Sequence, residues 1–389
     1  MTTPLTVVTV GCGGMGAGHA RLLAKMPAYK LLAVCDRVPE LAQKTAQSVG
    51  AAAAGDFAAA LALHRPDVAC VLTDNKSHYP LARLAVEAGV RGLVVEKPMT
   101  VDPADARAMV ALCRERNVAL MVNHQRRMGV DLLEMKRLMD SGALGTIRSI
   151  RVQCAGDFIS DGTHLVDSAQ FLTGDQMPEW VQGALRRDMP ALTASWKPSS
   201  QTDKPGYRFN HPTESGLMAV WQFPGGGPRV EAFGGDWIPA YCAYQDYMIS
   251  GDRGRLWRAG DVIGNNLFIA DGRPGTHSPN QDDWPYLPRP DASGSGEWRP
   301  VPLDSEAIAR YVNEKDGYVL CTNTMETAYT ALADTVLTGK AHPMSGEVAL
   351  KGFEIVTAAY ESARLGRRLA PPVAQDRFPL ALMVEGGQA

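Results

Sequence analysis

Two groups of residues in this 389-residue chain have the types and spacing that chemistry requires. The first is Gly11-Cys12-Gly13-Gly14-Met15-Gly16, a G-x-G-x-x-G run, with Asp36 20 residues beyond Gly16. Glycines there permit a tight turn and let the backbone approach a pyrophosphate. The phosphates then sit on a helix N-terminus, where free N–H groups and the helix dipole favour negative charge. An acidic residue at the Asp36 spacing accepts hydrogen bonds from the adenosine ribose hydroxyls and repels a 2′-phosphate, so NAD is expected over NADP. The neighbouring Arg37 works against that preference. The second group handles protons: Glu96-Lys97-Pro98, and His164 between Asp161 and Asp167. Histidine is the natural base near neutral pH, and a lysine ammonium stabilises a developing alkoxide. Asp161 and Asp167 lie at i−3 and i+3 from His164, where either can orient the ring on a helix. His164 is expected one turn inside a helix capped by Ser160 or Asp161, whose dipole lowers its pKa. Arg126 and Arg127 can grip substrate oxygens or an anionic group bidentately, or one of them can form an ion pair between domains. No His, Cys and carboxylate set has metal-ligand spacing, so no metal is expected.

These residues need a scaffold, and the first 120 or so positions describe one. Leu5–Val10, Leu31–Cys35, Val68–Leu72, Gly92–Val95 and Val118–Val122 are apolar enough to be strands buried on both faces. Between them, Gly16–Lys25, Pro39–Val49, Tyr79–Glu87 and Pro103–Arg116 read as helices, the last opening on a cap-then-proline Asp102-Pro103. The alternation is a doubly wound α/β unit, with the glycine run directly after the first strand and Lys97 at the carboxyl edge of the sheet. Beyond that unit the pattern changes. Leu132–Met139 reads as a helix, and Ile147–Cys154, Leu217–Phe223, Val230–Gly234 and Cys242–Ile249 as strands. Asn323–Thr338 and Gly346–Leu365 return to helix periodicity, with Gly366 as C-cap. The Pro- and Gly-rich stretches Met189–Pro212 and Gly272–Pro302 read as loops of a length usually tied to function. All seven tryptophans lie beyond the first unit. Two domains are expected, 1–123 and 124–389.

A net charge of −3 gives no basic excess for nucleic acid or an anionic membrane. Seven scattered cysteines without a C-x-x-C pair fit neither a disulfide framework nor a zinc ribbon and suit a reducing cytoplasm. No apolar run approaches membrane-spanning length, and no signal peptide is read.

With the glycine run and Glu96-Lys97-Pro98 in place, the chain resembles the Gfo/Idh/MocA family of glucose–fructose oxidoreductase and inositol dehydrogenase. Thr73-Asp74-Asn75 with His78 is similar to the family's T-P-N-x-x-H segment, with Asp74 in place of proline. Asn123-His124-Gln125-Arg126-Arg127 resembles its paired-arginine segment, Asp161 to Asp167 its catalytic helix, and Glu361 to Gly366 its closing stretch. The resemblance implies a Rossmann doubly wound parallel sheet followed by an α+β domain with an open, mainly antiparallel sheet. It also implies pairing of those open sheets into a homodimer or homotetramer. It implies that Lys97 and His164 contact a reacting hydroxyl with Asp161 as partner, although many members carry that aspartate where this chain has Ser160. Thr73, Asn75, His78, Glu96 and Lys97 would line the cofactor beside Gly11, Gly13, Gly14, Met15, Gly16, Asp36 and Arg37. His124, Arg126, Arg127, Asp161 and His164 would meet substrate.

The expected activity is hydride transfer from a secondary hydroxyl of a sugar, polyol or glycoside to NAD. A redox-neutral NAD-dependent glycosidase, sulfoquinovosidase-like, is the alternative; it needs a further base, for which Tyr207, Tyr241, Tyr244 and Tyr247 are candidates. A non-catalytic dinucleotide sensor would have no need for Lys97, Asp161 and His164 together. His211, His277 and His342 receive no role.

Overall fold

The structure, a computed structural model, describes residues 3–194, 204–236, 245–261, 266–271, 298–303 and 322–387. Six strands, β1 (Leu5–Val10), β2 (Tyr29–Cys35), β3 (Ala52–Ala54), β4 (Val68–Val71), β5 (Gly92–Val95) and β6 (Ala119–Val122), form a parallel sheet in the order β3-β2-β1-β4-β5-β6. Their connections are α1 (Gly14–Leu23), α2 (Pro39–Val49), α3 (Phe57–His64), α4 (His78–Glu87) and α5 (Pro103–Glu115). Strands β4 and β5 are buried at every residue, which is why they read as unbroken apolar runs. The order reverses direction between β1 and β4, and that switch point opens a crevice at the carboxyl ends of the strands.

Two elements of this sheet carry no clear sequence signal. Strand β3 is three mostly exposed alanines at the sheet edge, and α3 is alanine-rich without an apolar stripe. Helix α1 starts at Gly14, two residues earlier than expected, so the glycine run itself forms its first turn. Asp102 does occupy the N-cap position of α5, but its carboxylate accepts the Phe378 N–H at 2.7 Å instead of capping the helix. The cap is exchanged for a tether to the C-terminal segment.

Among the described residues the second sheet has eight strands, in the order β16-β15-β14-β13-β7-β12-β11-β8. These are β7 (Ile147–Cys154), β8 (Trp180–Arg186), β11 (Gly216–Gln222), β12 (Arg229–Gly235), β13 (Asp246–Gly251), β14 (Gly254–Arg258), β15 (Leu267–Asp271) and β16 (Arg299–Pro300). Only β7 and β12 pair in parallel; the other pairings are antiparallel. Ile150, Val152, Leu217, Ala219, Trp221, Val230 and Ala232 point to one buried face, while alternate positions such as Met218 face outward. The remaining helices are α6 (Val130–Asp140), α7 (Gly162–Leu172), α8 (Met189–Ala194), α9 (Thr322–Thr338), α10 (Gly346–Leu365) and α11 (Pro379–Glu385). Of these, α9 packs on the first sheet, where Ala328, Tyr329 and Leu332 join Val7 and Val68 in one buried cluster. Helix α10 ends on Gly366 at φ 64° as expected and packs on β8 and α7 of the second sheet as well as α5 of the first.

The last strand expectation shifts: β13 begins at Asp246, and residues 242–244 lie outside the described residues. The supposed loop Met189–Pro212 holds α8 and a short hairpin, β9 (Tyr207–Arg208) with β10 (His211–Pro212). Residues 195–203 and 272–297 of the two Pro-rich stretches lie outside the described residues. Among the described residues no helix is long and apolar enough to cross a membrane.

Candidate active site

The glycine run joins β1 to α1, and its glycines act in two ways. A Cβ on Gly11, which sits at φ +98°, would lie 2.3 Å from Leu72 O, and one on Gly16 would lie 2.0 Å from Gly11 O. Those two let the protein backbone close on itself. Around Gly13 and Gly14 a Cβ would meet nothing within 4 Å, so the space in front of the helix is open. Gly13 is the N-cap and offers no side-chain cap to the first N–H groups of α1. An open cradle lined by uncapped helix amides fits a dinucleotide pyrophosphate. Met15, 49% exposed, stands at its rim. Asp36 follows β2 beside the glycine run, with Oδ2 accepting the Cys12 N–H at 2.7 Å and Oδ1 the Val38 N–H at 2.8 Å. The carboxylate therefore braces the glycine run, a task that adds to the expected ribose contact. Arg37 beside it is exposed.

Further along the same edge, Asn75 is buried and its amide donates to His211 Nε2 at 2.9 Å. His78 does not line a cofactor surface. Fully buried, it lies 2.9 Å from Pro98 O through Nδ1 and 3.2 Å from Thr73 O through Nε2, bracing the turn after Lys97. Glu96 is likewise buried and bonded within the protein, to His19 Nε2 at 2.8 Å and Asn123 Nδ2 at 2.6 Å. Burial works to raise its carboxyl, but His19, Asn123 and the Lys97 charge outweigh it and hold it down at about 2. His19 Nδ1 in turn meets Tyr329 Oη of α9 at 2.7 Å. Glu96 is thus an anchor that fixes the residue beside it.

That residue is Lys97. Its Nζ donates to Ser160 O at 2.9 Å and lies 4.0 Å from Asp161 Oδ1, with the side chain 21% exposed. Ser160 and Asp161 lead into α7, and His164 occupies the first turn of that helix with 2% exposure. Its pKa lies well below the ordinary histidine value, so the ring is neutral. The direction agrees with expectation, but the cause is different. Burial comes first, followed by the charges of Arg126, Lys97 and then the adjacent His124. Nor does Asp167 orient His164; it pairs with Arg127 at 2.7 Å and lies 3.5 Å from His124 Nδ1. His164 Nδ1 is buried with no hydrogen-bond partner among the described residues. His124 sits edge-on to the His164 ring at 5.6 Å and bonds Thr163 Oγ1 at 3.1 Å.

The arginine pair divides. Arg127, 2% exposed, is a structural cation whose guanidinium is engaged by Asp167, Asp167 O and Asp175; it is out of a substrate's reach. Arg126 forms a bidentate pair with Asp261, which also receives Arg258 from β14. Arg208, Asp157, Glu214, His19 and His211 carry no functional signal in the sequence, yet the fold gathers them around these groups. No local spacing marks them, because their partners lie tens to hundreds of residues away. Of the tyrosine candidates for a further base, Tyr247 is buried, bonded to Ser168 and Gln245, and pushed well above the ordinary phenol range. Tyr241 and Tyr244 lie outside the described residues.

With this geometry established, comparison with known proteins is decisive for the first sheet. Residues 5–124 match the family model described as an oxidoreductase family with an NAD-binding Rossmann fold. Over these residues the chain matches the Gfo/Idh/MocA family. A D-glucoside 3-dehydrogenase of Escherichia coli is 29% identical over 194 residues, 44% of this chain and 55% of the relative. A D-apiose dehydrogenase of Paraburkholderia graminis is 31% identical over 184 residues, covering 43% and 49%. The chain thus spans about half the length of these two curated relatives. A Bacillus subtilis scyllo-inositol 2-dehydrogenase (NADP(+)) aligns over 78% of each chain at 23% identity. Among solved structures, an Agrobacterium radiobacter oxidoreductase in complex with NAD+, L-tartaric acid and magnesium superposes with a TM-score of 0.72 at 19% identity, covering 95% of this chain and 98% of its own. The aldose-aldose oxidoreductase of Caulobacter crescentus, complexed with glycerol, gives a TM-score of 0.70 at 19% identity over 95% of this chain and all of its own. These two extend the likeness in fold over both sheets.

Proposed function

We propose that the protein is a dehydrogenase that oxidises a secondary hydroxyl of a sugar, polyol or glycoside with NAD. The observation that carries this reading is the convergence of Lys97, Asp161 and His164 at the sheet's carboxyl edge, alongside the open glycine cradle. Gly13, Gly14, Met15 and Asp36 would hold the cofactor, which when bound supplies a hydride acceptor. The chain's own residues manage the proton. Neutral His164 has a lone pair for the hydroxyl proton, and the Lys97 ammonium steadies the oxygen as negative charge develops. Asp161 balances Lys97, and the burial that keeps His164 neutral also favours passing the proton on. Of the two arginines, Arg126 is the one whose charge bears on His164, which supports a role for it near the substrate.

Asp36 supports NAD over NADP, since its carboxylate at the end of β2 repels a 2′-phosphate. The curated relatives named for glucoside, apiose and inositol dehydrogenation support a carbohydrate or polyol as substrate. The outward face of the second sheet supports a homodimer or homotetramer.

The test is a panel of free sugars, polyols and glycosides incubated with NAD and followed at the NADH absorbance band. Net NADH equal to product formed is expected, with deuterium moving from the oxidised carbon to the nicotinamide. Product release from a glycoside at catalytic NAD, without NADH accumulating, would overturn the dehydrogenase reading in favour of redox-neutral hydrolysis.

A further inference from the structure

The loop between β7 and α7 is built around the Asp161 carboxylate. Gly156 sits in that loop at φ +97°, and a Cβ on it would lie 2.2 Å from Asp161 Oδ2. The carboxylate therefore folds back into space that any other residue at position 156 would fill. There Oδ2 accepts Arg208 Nη1–H at 2.6 Å, while Oδ1 is the oxygen 4.0 Å from Lys97 Nζ. The same Nη1 donates to Asp157 Oδ2 at 3.1 Å, and Asp157 Oδ1 accepts the Ser160 N–H at 2.7 Å. Ser160 is the residue whose carbonyl receives Lys97. One guanidinium nitrogen is thus bonded to both carboxylates that shape the loop.

Arg208 is delivered by an unusual hairpin. It pairs with His211 across a two-residue turn, Phe209 at φ 49° and Asn210 at φ 67°. Both values are left-handed, as a tight two-residue hairpin demands, yet a bulky aromatic is strained at the first position. Such strain persists only where the surroundings over-determine the conformation. Here they do so on both sides of the hairpin. The Arg208 guanidinium stacks 4.9 Å above the Phe209 ring. His211 is fully buried, and its Nδ1–H donates to Pro212 O at 3.0 Å. A carbonyl only accepts, so Nε2 is the acceptor that holds the Asn75 amide, and it lies 3.3 Å from Ser160 Oγ. The hairpin therefore locks the loop from outside and fastens it to the Rossmann edge.

We propose that Arg208 is a positioning residue for the reaction, fixing the Asp161 carboxylate so that Oδ1 stays directed at Lys97. The inference rests on the assignment of Lys97 and Asp161 to the chemistry, and its test separates the two. Steady-state kinetics on the full chain would compare Arg208→Met, Arg208→Lys, Asp161→Asn and the Arg208→Met/Asp161→Asn double variant, with NAD binding by fluorescence titration as the check of folding. Arg208→Met should lower kcat by roughly 10²-fold, the scale of a misplacement of about 1 Å, with KM for NAD unchanged. Arg208→Lys should recover part of that loss. In the Asp161→Asn background, Arg208→Met should add less than about twofold, because a residue acting through Asp161 has nothing left to position. A kcat for Arg208→Met within about twofold of native, or a fully multiplicative double variant, would overturn the proposal while leaving the catalytic reading intact. Should Arg208→Met fail to bind NAD, Arg208→Lys decides alone: native kcat overturns the proposal, and a reduced kcat with native NAD affinity supports it. Native turnover in Asp161→Asn would bring down the catalytic reading and this inference together.

Discussion

Glu214→Gln is expected to make the protein more stable at pH 8 and not at pH 5. Glu214 is 2% exposed, with Oε1 accepting the Phe158 N–H at 2.6 Å and Oε2 the Tyr360 hydroxyl at 2.8 Å. Burial, and then the neighbouring Asp157 charge, push its carboxyl up from 4.5 to about 7 despite those hydrogen bonds. In the unfolded chain the proton leaves near the ordinary carboxyl value; in the folded protein it stays to about 7. Between those values the folded state binds more protons than the unfolded one. Stability therefore falls as pH rises through this window and levels off above it. At 1.36 kcal/mol per pH unit, the loss is about 3 kcal/mol. Glutamine has the same shape and no proton to lose. Its oxygen can still accept the Phe158 N–H, while the Tyr360 bond is weakened at a cost of about 1 kcal/mol. The variant should thus be equal to or slightly less stable than native at pH 5, and about 2 kcal/mol more stable at pH 8. Urea unfolding of both proteins at the two pH values, at constant ionic strength, measures the difference directly. A native–variant gap that is the same at pH 5 and pH 8 would refute the reasoning, because it would mean that Glu214 titrates alike in both states.

Two further outcomes concern the site itself. Lys97→Ala and His164→Ala should each lower turnover by roughly 10²–10⁴-fold with NAD affinity retained, and near-native turnover in either would remove that residue from the chemistry. Because burial and then the Arg126, Lys97 and His124 charges depress His164, it charges only well below pH 6.5; kcat/KM should show no histidine limb centred at 6.5, and such a limb, lost in His164→Ala, would contradict the burial argument. Asp36→Ala should weaken NAD binding by roughly 10–100-fold and narrow the gap to NADP, since charged hydrogen bonds and a repulsive charge vanish together. Tighter binding of NADP than NAD by the native protein, in parallel fluorescence titrations, would refute the role given to Asp36.

The amino-acid sequence by itself determined the parallel sheet, the glycine cradle and the neighbourhood of Lys97 and His164. Each depends on local order: apolar runs of strand length, a motif confined to one βα turn, and residues placed just after a strand or at a helix start. Strands β1, β5 and β7 and helices α2 and α10 lie where hydrophobic period, proline and glycine put them. Tertiary structure alone decided how the polar groups are shared. Arg126 and Arg127 are neighbours in sequence and look interchangeable, yet one is sealed between Asp167 and Asp175 and the other faces Asp261. His78 and Glu96 fit a cofactor motif, but packing turns them inward as braces for the Lys97 turn. Arg208 and His211 sit in a stretch that reads as a loop, and they reach Asp161 and Asn75 across 47 and 136 residues. The depressed pKa of His164 follows the same logic, arising mainly from burial and from charges delivered by other segments. Hydrophobic periodicity is written along the chain, whereas the partner of a buried charge is set by which segments the fold brings within about 3 Å, where desolvation makes pairing obligatory.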